Sequence, residues 1–243
     1  ASYRTDVPAF YGDWFIARLE AGYCHTVNPY NQQIRLIQLG REAVSGFVFW
    51  TKNLHPFYPK LRLVRDHGFP FVVQYTINAY PRELETAVIN AERAINHMRN
   101  LTNEFGSRVG VWRYDPLVAT SMTPPDWHVD NFAGLADFLV GTTDEEVISF
   151  AHVYRKTRIN RDVASGLHGF GWDDPPDEEK RELITRLAAI AIDRGIRLTL
   201  CPQEAYLVPS VTLARCIDVE RMSDVAGLSI SARRKGNRPD CMC

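Results

Sequence analysis

Apolar residues in this chain gather in short runs that each end in a polar cluster: GFVFWTKN (46–53), FPFVVQYTIN (69–78), RVGVWRYDP (108–116), EVISFAHVYRK (146–156) and IRLTLCPQE (196–204). The runs are short and rich in β-branched and aromatic residues. Their nearly unbroken hydrophobicity predicts strands covered on both faces, as in a parallel sheet. Between them the spacing of apolar positions predicts helices over 9–21, 54–67, 81–104, 124–140 and 177–194. The last opens on DDPPDEE, where proline and acidic residues favour a helix start. Alternating strands and helices predict right-handed parallel βαβ units. With a further strand just ahead of Arg4 the count reaches about six. The expected fold is therefore α/β, a partial (β/α) barrel of the TIM type rather than a doubly wound sheet. No strand is followed by a Gly-x-Gly-x-x-Gly turn, and GLHGFG (166–171) reads as a loop. The expected organisation is a barrel over 1–205 and a cysteine-containing extension over 206–243 packed on it.

Barrels carry their chemistry at the C-terminal ends of the strands, and the unusual polar residues of this chain fall there. Arg4 and Asp6 precede the first predicted helix. Thr51, Lys52 and Asn53 end one strand, Gln74 and Thr76 lie in the next, and Arg113 and Asp115 end the third. Tyr154 and Lys156 close the fourth run, and Glu204 follows Cys201 and Gln203 in the last. Arg4, Asp6, Lys52, Arg113 and Asp115 are candidate catalytic groups. Thr51, Asn53, Gln74, Thr76, Tyr154, Lys156 and Glu204 are candidate cofactor contacts. The cations would hold anionic groups and the carboxylates would take hydroxyls or amines. A structural alternative stands beside this: Asp6 and Asp115, each close ahead of a proline, can cap turns, and Arg113 can be their ion-pair partner.

A net charge of −1 over 243 residues gives no electrostatic footprint for a nucleic-acid backbone, so the basic stretches 155–161 and 231–238 read mainly as solvated surface. Nucleic acid is therefore a weakly supported partner, and a small-molecule cofactor and substrate the expected ones. No segment is apolar enough to span a membrane or to form a secretory core. The expected compartment is the cytoplasm, where thiols stay reduced. The chain begins at Ala1 without a methionine, and both ends are expected to be cut.

Four of the five cysteines follow the spacing C-x14-C-x24-C-x-C: Cys201, Cys216, Cys241 and Cys243. Thiols one residue apart close a badly strained ring, so Cys241 and Cys243 are expected to face a shared third object. Four thiolates complete a closed zinc site or a [4Fe-4S] cluster. Alternatively, Cys216 is a buried small hydrophobe. Cys24 reads as structural, His128 and His152 as satisfied polar residues. Neither Ser149 nor Cys24 has a base and orienting acid evident in the sequence.

RTDVPAFYGDWF at the start, NPYN (28–31), FVFWTKN (47–53), VWRYDP (111–116), ISF with YRKT (148–157), ARCID and RPDCMC resemble the bacterial DUF1848 family over essentially the whole chain. The resemblance implies a relation to radical SAM enzymes of the spore photoproduct lyase type. It thereby implies a (β/α) barrel, a [4Fe-4S] cluster and S-adenosylmethionine. The family's C-x3-C-x2-C triad does not occur in these 243 residues, so the barrel and the four-thiol site are expected here without the catalytic cluster's ligands. A zinc-bound structural or nucleic-acid-associated module and a metal-dependent barrel hydrolase or isomerase are the alternative readings.

Overall fold

The computed structural model describes residues 5–28, 30–152 and 155–231, the side chains of 155–157 excepted. Two short helices open it, α1 (Val7–Phe10) and α2 (Gly12–Ala21), followed by an antiparallel hairpin of β1 (Tyr23–Val27) and β2 (Ile34–Gln38). The remainder alternates: β3 (Phe47–Thr51), α3 (Tyr58–Asp66), β4 (Phe71–Thr76), α4 (Ala91–Phe105), β5 (Gly110–Leu117), α5 (Pro125–Leu139), β6 (Glu145–Phe150), α6 (Arg155–His168), α7 (Asp177–Asp193), β7 (Arg197–Leu200), β8 (Thr212–Leu213) and α8 (Val219–Ala226).

Strands β3 to β8 form one parallel sheet in sequential order. There is no reversal of strand order, which separates the sheet from the doubly wound class. The sequence predicts six strands of a barrel; the sheet has six strands but is open. Its last strand, β8, offers two residues, Thr212 and Leu213, to β7, and among the described residues nothing joins it to β3. The strand expected before Arg4 lies outside the described residues, and the sixth strand comes from 212–213 instead. The segment beyond residue 205 thus supplies both a strand and, in α8, a helix that packs on β4.

Local chemistry explains where the predicted helices shift. The expected helix over 81–104 begins only at Ala91, because Asn90 caps it by accepting from Arg93 N at 2.9 Å, while Leu84 and Glu85 turn back onto Pro81 O. The basic run 155–161 opens α6 rather than extending a strand, which ends at Phe150.

The sheet separates two unequal layers. On one face Phe49, Val73, Tyr75, Trp112, Tyr114 and Ile148 join the helices in the main core. Trp112, fully buried, stacks on Phe132 at 5.0 Å and donates its indole N–H to Ile77 O at 3.0 Å, tying α5 and the end of β4 to β5. On the other face Val72, Val111, Val147 and Ala214 pack with Met222 of α8. One step further along the strands this second face turns polar, at Gln74, Arg113, Ser149 and Cys201. The alternation is hidden in runs that look uniformly apolar, because the main-core face supplies every second residue.

Candidate functional site

Arg113 and Asp115 lie two apart in β5 and so share a face. The Arg113 guanidinium holds Asp115 at both oxygens (2.9 and 2.5 Å), and its Nη1 donates to Gln74 Oε1 at 3.1 Å and to Cys216 Sγ at 3.3 Å. Burial opposes the charge, but Asp115 and the neighbouring Cys216 outweigh it and keep the group firmly protonated. Ser149 Oγ reaches Asp115 at 3.3 Å, and Gln74 Nε2 reaches Cys216 O at 3.4 Å.

Cys201, at the end of β7, and Cys216, in the loop before α8, bring their sulfurs to 3.1 Å; neither is in a disulfide. The hydrogen bond to Cys216, then burial, pushes the Cys201 thiol strongly up. Five side chains from four separate segments therefore form one connected cluster on the second face of the sheet: Gln74, Arg113, Asp115, Cys201 and Cys216.

The other candidates divide among neighbouring places. Lys52 pairs with Glu85 and, with Thr76, lines a cavity of about 230 Å³ beside the cluster. Its floor includes Ala79, whose φ of +52° is unusual for a residue with a Cβ and marks a backbone held by its surroundings. Asn78 ties this turn to Asp115 O at 3.1 Å, and Asn131 donates to Asn78 O at 2.8 Å. Asp6 and Thr51 serve the chain itself. Asp6 caps α1 by accepting from Ala9 N at 2.9 Å and also accepts from Thr51 Oγ1 and Lys52 N, both at 3.0 Å. Asn53 closes a turn onto His55 N, and Glu204 is exposed at the start of a 3-10 turn. Arg4, Tyr154, Cys241, Cys243 and the side chain of Lys156 lie outside the described residues.

Because three hydrogen bonds converge on Asp6, Asp6→Ala is expected to lower stability by about 2–3 kcal/mol, read from urea unfolding. An unchanged unfolding midpoint would remove the assignment of Asp6 as the clamp between α1 and β3.

His128 and Cys24, read as structural from the sequence, are so placed. His128 is buried between Tyr114 Oη (3.1 Å) and Val118 O (3.2 Å), and burial pulls its pKa down to about 4. Cys24 is buried, which raises its thiol. The roles of two groups escaped sequence reasoning, which names Gln203 only as a strand-end residue. Gln203 accepts from Phe150 N at 2.7 Å and donates to Phe150 O at 3.1 Å, taking a strand neighbour's place at the end of β6. Glu146 is fully buried against β5, its Oε1 accepting from Tyr114 N at 3.2 Å and its Oε2 without a partner among the described residues. In the sequence it is the last of three consecutive acidic residues, Asp144 to Glu146, and nothing there marks it as buried.

A sequentially ordered parallel sheet with helices on its main-core face, carrying a polar, thiol-containing cluster toward its C-terminal strand ends, defines the class: an α/β protein built on an open, six-stranded parallel sheet. The chain belongs to the DUF1848 family, a domain of unknown function, whose model matches residues 1–243. No curated protein matches it. Among the described residues no helix is long and apolar enough to cross a membrane.

Proposed function

We propose that this chain is a thiolate-ligated metal protein, in its finer form a radical SAM-like iron-sulfur enzyme acting at the C-terminal ends of the sheet. The observation that carries the reading is the convergence of Cys201 and Cys216, with sulfurs 3.1 Å apart beside the Arg113 guanidinium.

The donor chemistry fits such a centre. Two thiols from separate segments share one proton-bearing contact, which a metal would replace by taking both as thiolates. Arg113 places positive charge against Cys216, favouring the thiolate. No group of three His, Cys, Asp or Glu side chains suited to a metal comes together among the described residues, so this reading draws its remaining ligands from Cys241 and Cys243. A [4Fe-4S] cluster held by all four thiols would supply electron transfer, and the open iron that S-adenosylmethionine needs would belong to a C-x3-C-x2-C cluster whose ligands do not occur in these 243 residues. In this reading the chain's own residues position and bind. Asp115 fixes the guanidinium, Gln74 holds both Arg113 and the Cys216 carbonyl, and Lys52 and Thr76 present polar groups to the adjacent cavity. Arg4, Tyr154 and Lys156 remain proposed contacts, as do Asn53 and Glu204.

Iron, acid-labile sulfide and zinc measured on protein purified without oxygen test the proposal. About four irons and four sulfides per cluster are expected, with Cys201→Ser and Cys216→Ser each losing more than half of the metal. Stoichiometric zinc would favour the structural module instead. Metal content unchanged in both variants, or no bound metal, would sink the proposal.

A further inference from the structure

A second cavity, of about 430 Å³, opens outside the C-terminal ends of β3 to β5 against α6; its lining includes Lys52, Tyr80, Glu83, Glu85, Arg161 and Trp172. Its volume falls in the usual range for small-ligand pockets, roughly 300–1,000 Å³, and its position is the usual one in parallel α/β folds. One wall is built with care. Trp172 donates its indole N–H to Asp162 Oδ1 at 3.0 Å, and its strand-like segment bridges to Thr120, so the ring is fixed from both sides. The Arg161 guanidinium lies 5.0 Å from the centre of that ring.

Arg161 makes no hydrogen bond or ion pair among the described residues. The other cation of the cavity, Lys52, is neutralised by Glu85. Asp174 acts on Arg161 from a distance but is bonded to Lys180 at 2.8 Å. Burial consequently draws the Arg161 pKa below the ordinary arginine value, with Asp174 and then Tyr80 opposing it. A guanidinium stacked on an indole is anchored through its face and keeps its N–H edges for a planar, bidentate acceptor.

We propose that this cavity binds a carboxylate carried on an aromatic or heteroaromatic body, the carboxylate on Arg161 and the ring among Trp172, Tyr80 and Phe170. The charge balance selects a monoanion. One uncompensated cation, with Glu83 exposed at the rim, suits a carboxylate better than a doubly charged phosphate. The inference does not depend on the metal reading, since none of these residues belongs to the thiol cluster.

Calorimetric titration of the whole chain with indole-3-acetate, its neutral amide indole-3-acetamide and inorganic phosphate tests it. The acid is expected to bind about tenfold to a hundredfold more tightly than the amide, and Arg161→Gln to lose a similar factor while Arg161→Lys retains part of it. The Cys201→Ser variant should bind the acid as the parent does, which separates failure here from failure of the metal proposal. Equal affinity for acid and amide in the parent protein would overturn the inference, and that comparison needs no variant to fold. Phosphate binding more tightly than the acid, undiminished binding in Arg161→Gln, or no binding of the acid at millimolar concentration would each do the same.

Discussion

Arg221→Met should cost about 3–5 kcal/mol of stability, the range for removing one partner of a buried ion pair. Arg221 is 1% exposed and binds Asp144 at 2.8 and 2.9 Å, Glu145 at 2.7 Å and Arg108 O at 3.0 Å. Through these bonds α8 is fastened to the start of β6, and Met222 beside it enters the second-face core. Removing the guanidinium leaves the 4%-exposed Glu145 to Arg197 and Thr199 alone. Adding Glu145→Gln should recover part of the loss, because the stranded buried charge then disappears. Asp144 supplies a pH signature. Burial would raise its carboxyl, but Arg221's hydrogen bonds and charge, with Arg108 behind them, hold it below the ordinary value. Its contribution to stability is thus present above the unfolded pKa of about 3.9 and is lost as pH falls through the depressed folded value. Arg221→Met should move acid unfolding to higher pH, and urea midpoints measured from pH 2 to 7 would show it. Identical midpoints for parent and variant would dispose of the assignment.

Glu146 should behave in the opposite sense. Burial, with Asp115 and Glu145 adding to it, pushes its pKa well up against the pull of Tyr114 N and Arg113. The group is therefore held neutral, and its contribution is full below the unfolded pKa of about 4.3 and declines as pH rises through the raised folded value. Glu146→Gln keeps an acceptor for Tyr114 N and cannot ionise. Its stability relative to the parent should accordingly improve as pH rises from about 5 to about 8. A difference that stays constant across that range would show that Glu146 does not titrate there.

The fold was legible where side-chain pattern alone decides structure. Five strands announced themselves as apolar runs, and α7 by the acidic residues of its first turn, Asp177, Glu178 and Glu179. β8 escaped because two residues carry no period, and α6 because its opening RKTRINR holds a single apolar residue, Ile159, and shows no apolar period. The hairpin escaped because, Cys24 apart, every residue of β1 and β2 is exposed, leaving no in-and-out alternation to read. Within the site, the Arg-x-Asp spacing in β5 already allowed the pairing of Arg113 with Asp115. The meeting of Cys201 with Cys216 needs the loop after β7 to turn back beside the strand, and spacing alone does not dictate that. Arg161 was invisible for a different reason: one of three arginines in a basic run is singled out only by the tryptophan beneath it.

The β1–β2 hairpin lies outside the strand-helix series and closes at its base, with Cys24 of β1 buried. Leu39 N donates to Gly22 O at 2.8 Å, and Gly22 turns the chain there with a φ of +77°. The hairpin is thus an appendage closed at its own base rather than a link in the strand-helix series. Lengthening it adds only loop entropy, about 0.6 kcal/mol per doubling, and leaves the register of the six-stranded sheet untouched. Its tip is the natural place to graft a foreign peptide onto this scaffold.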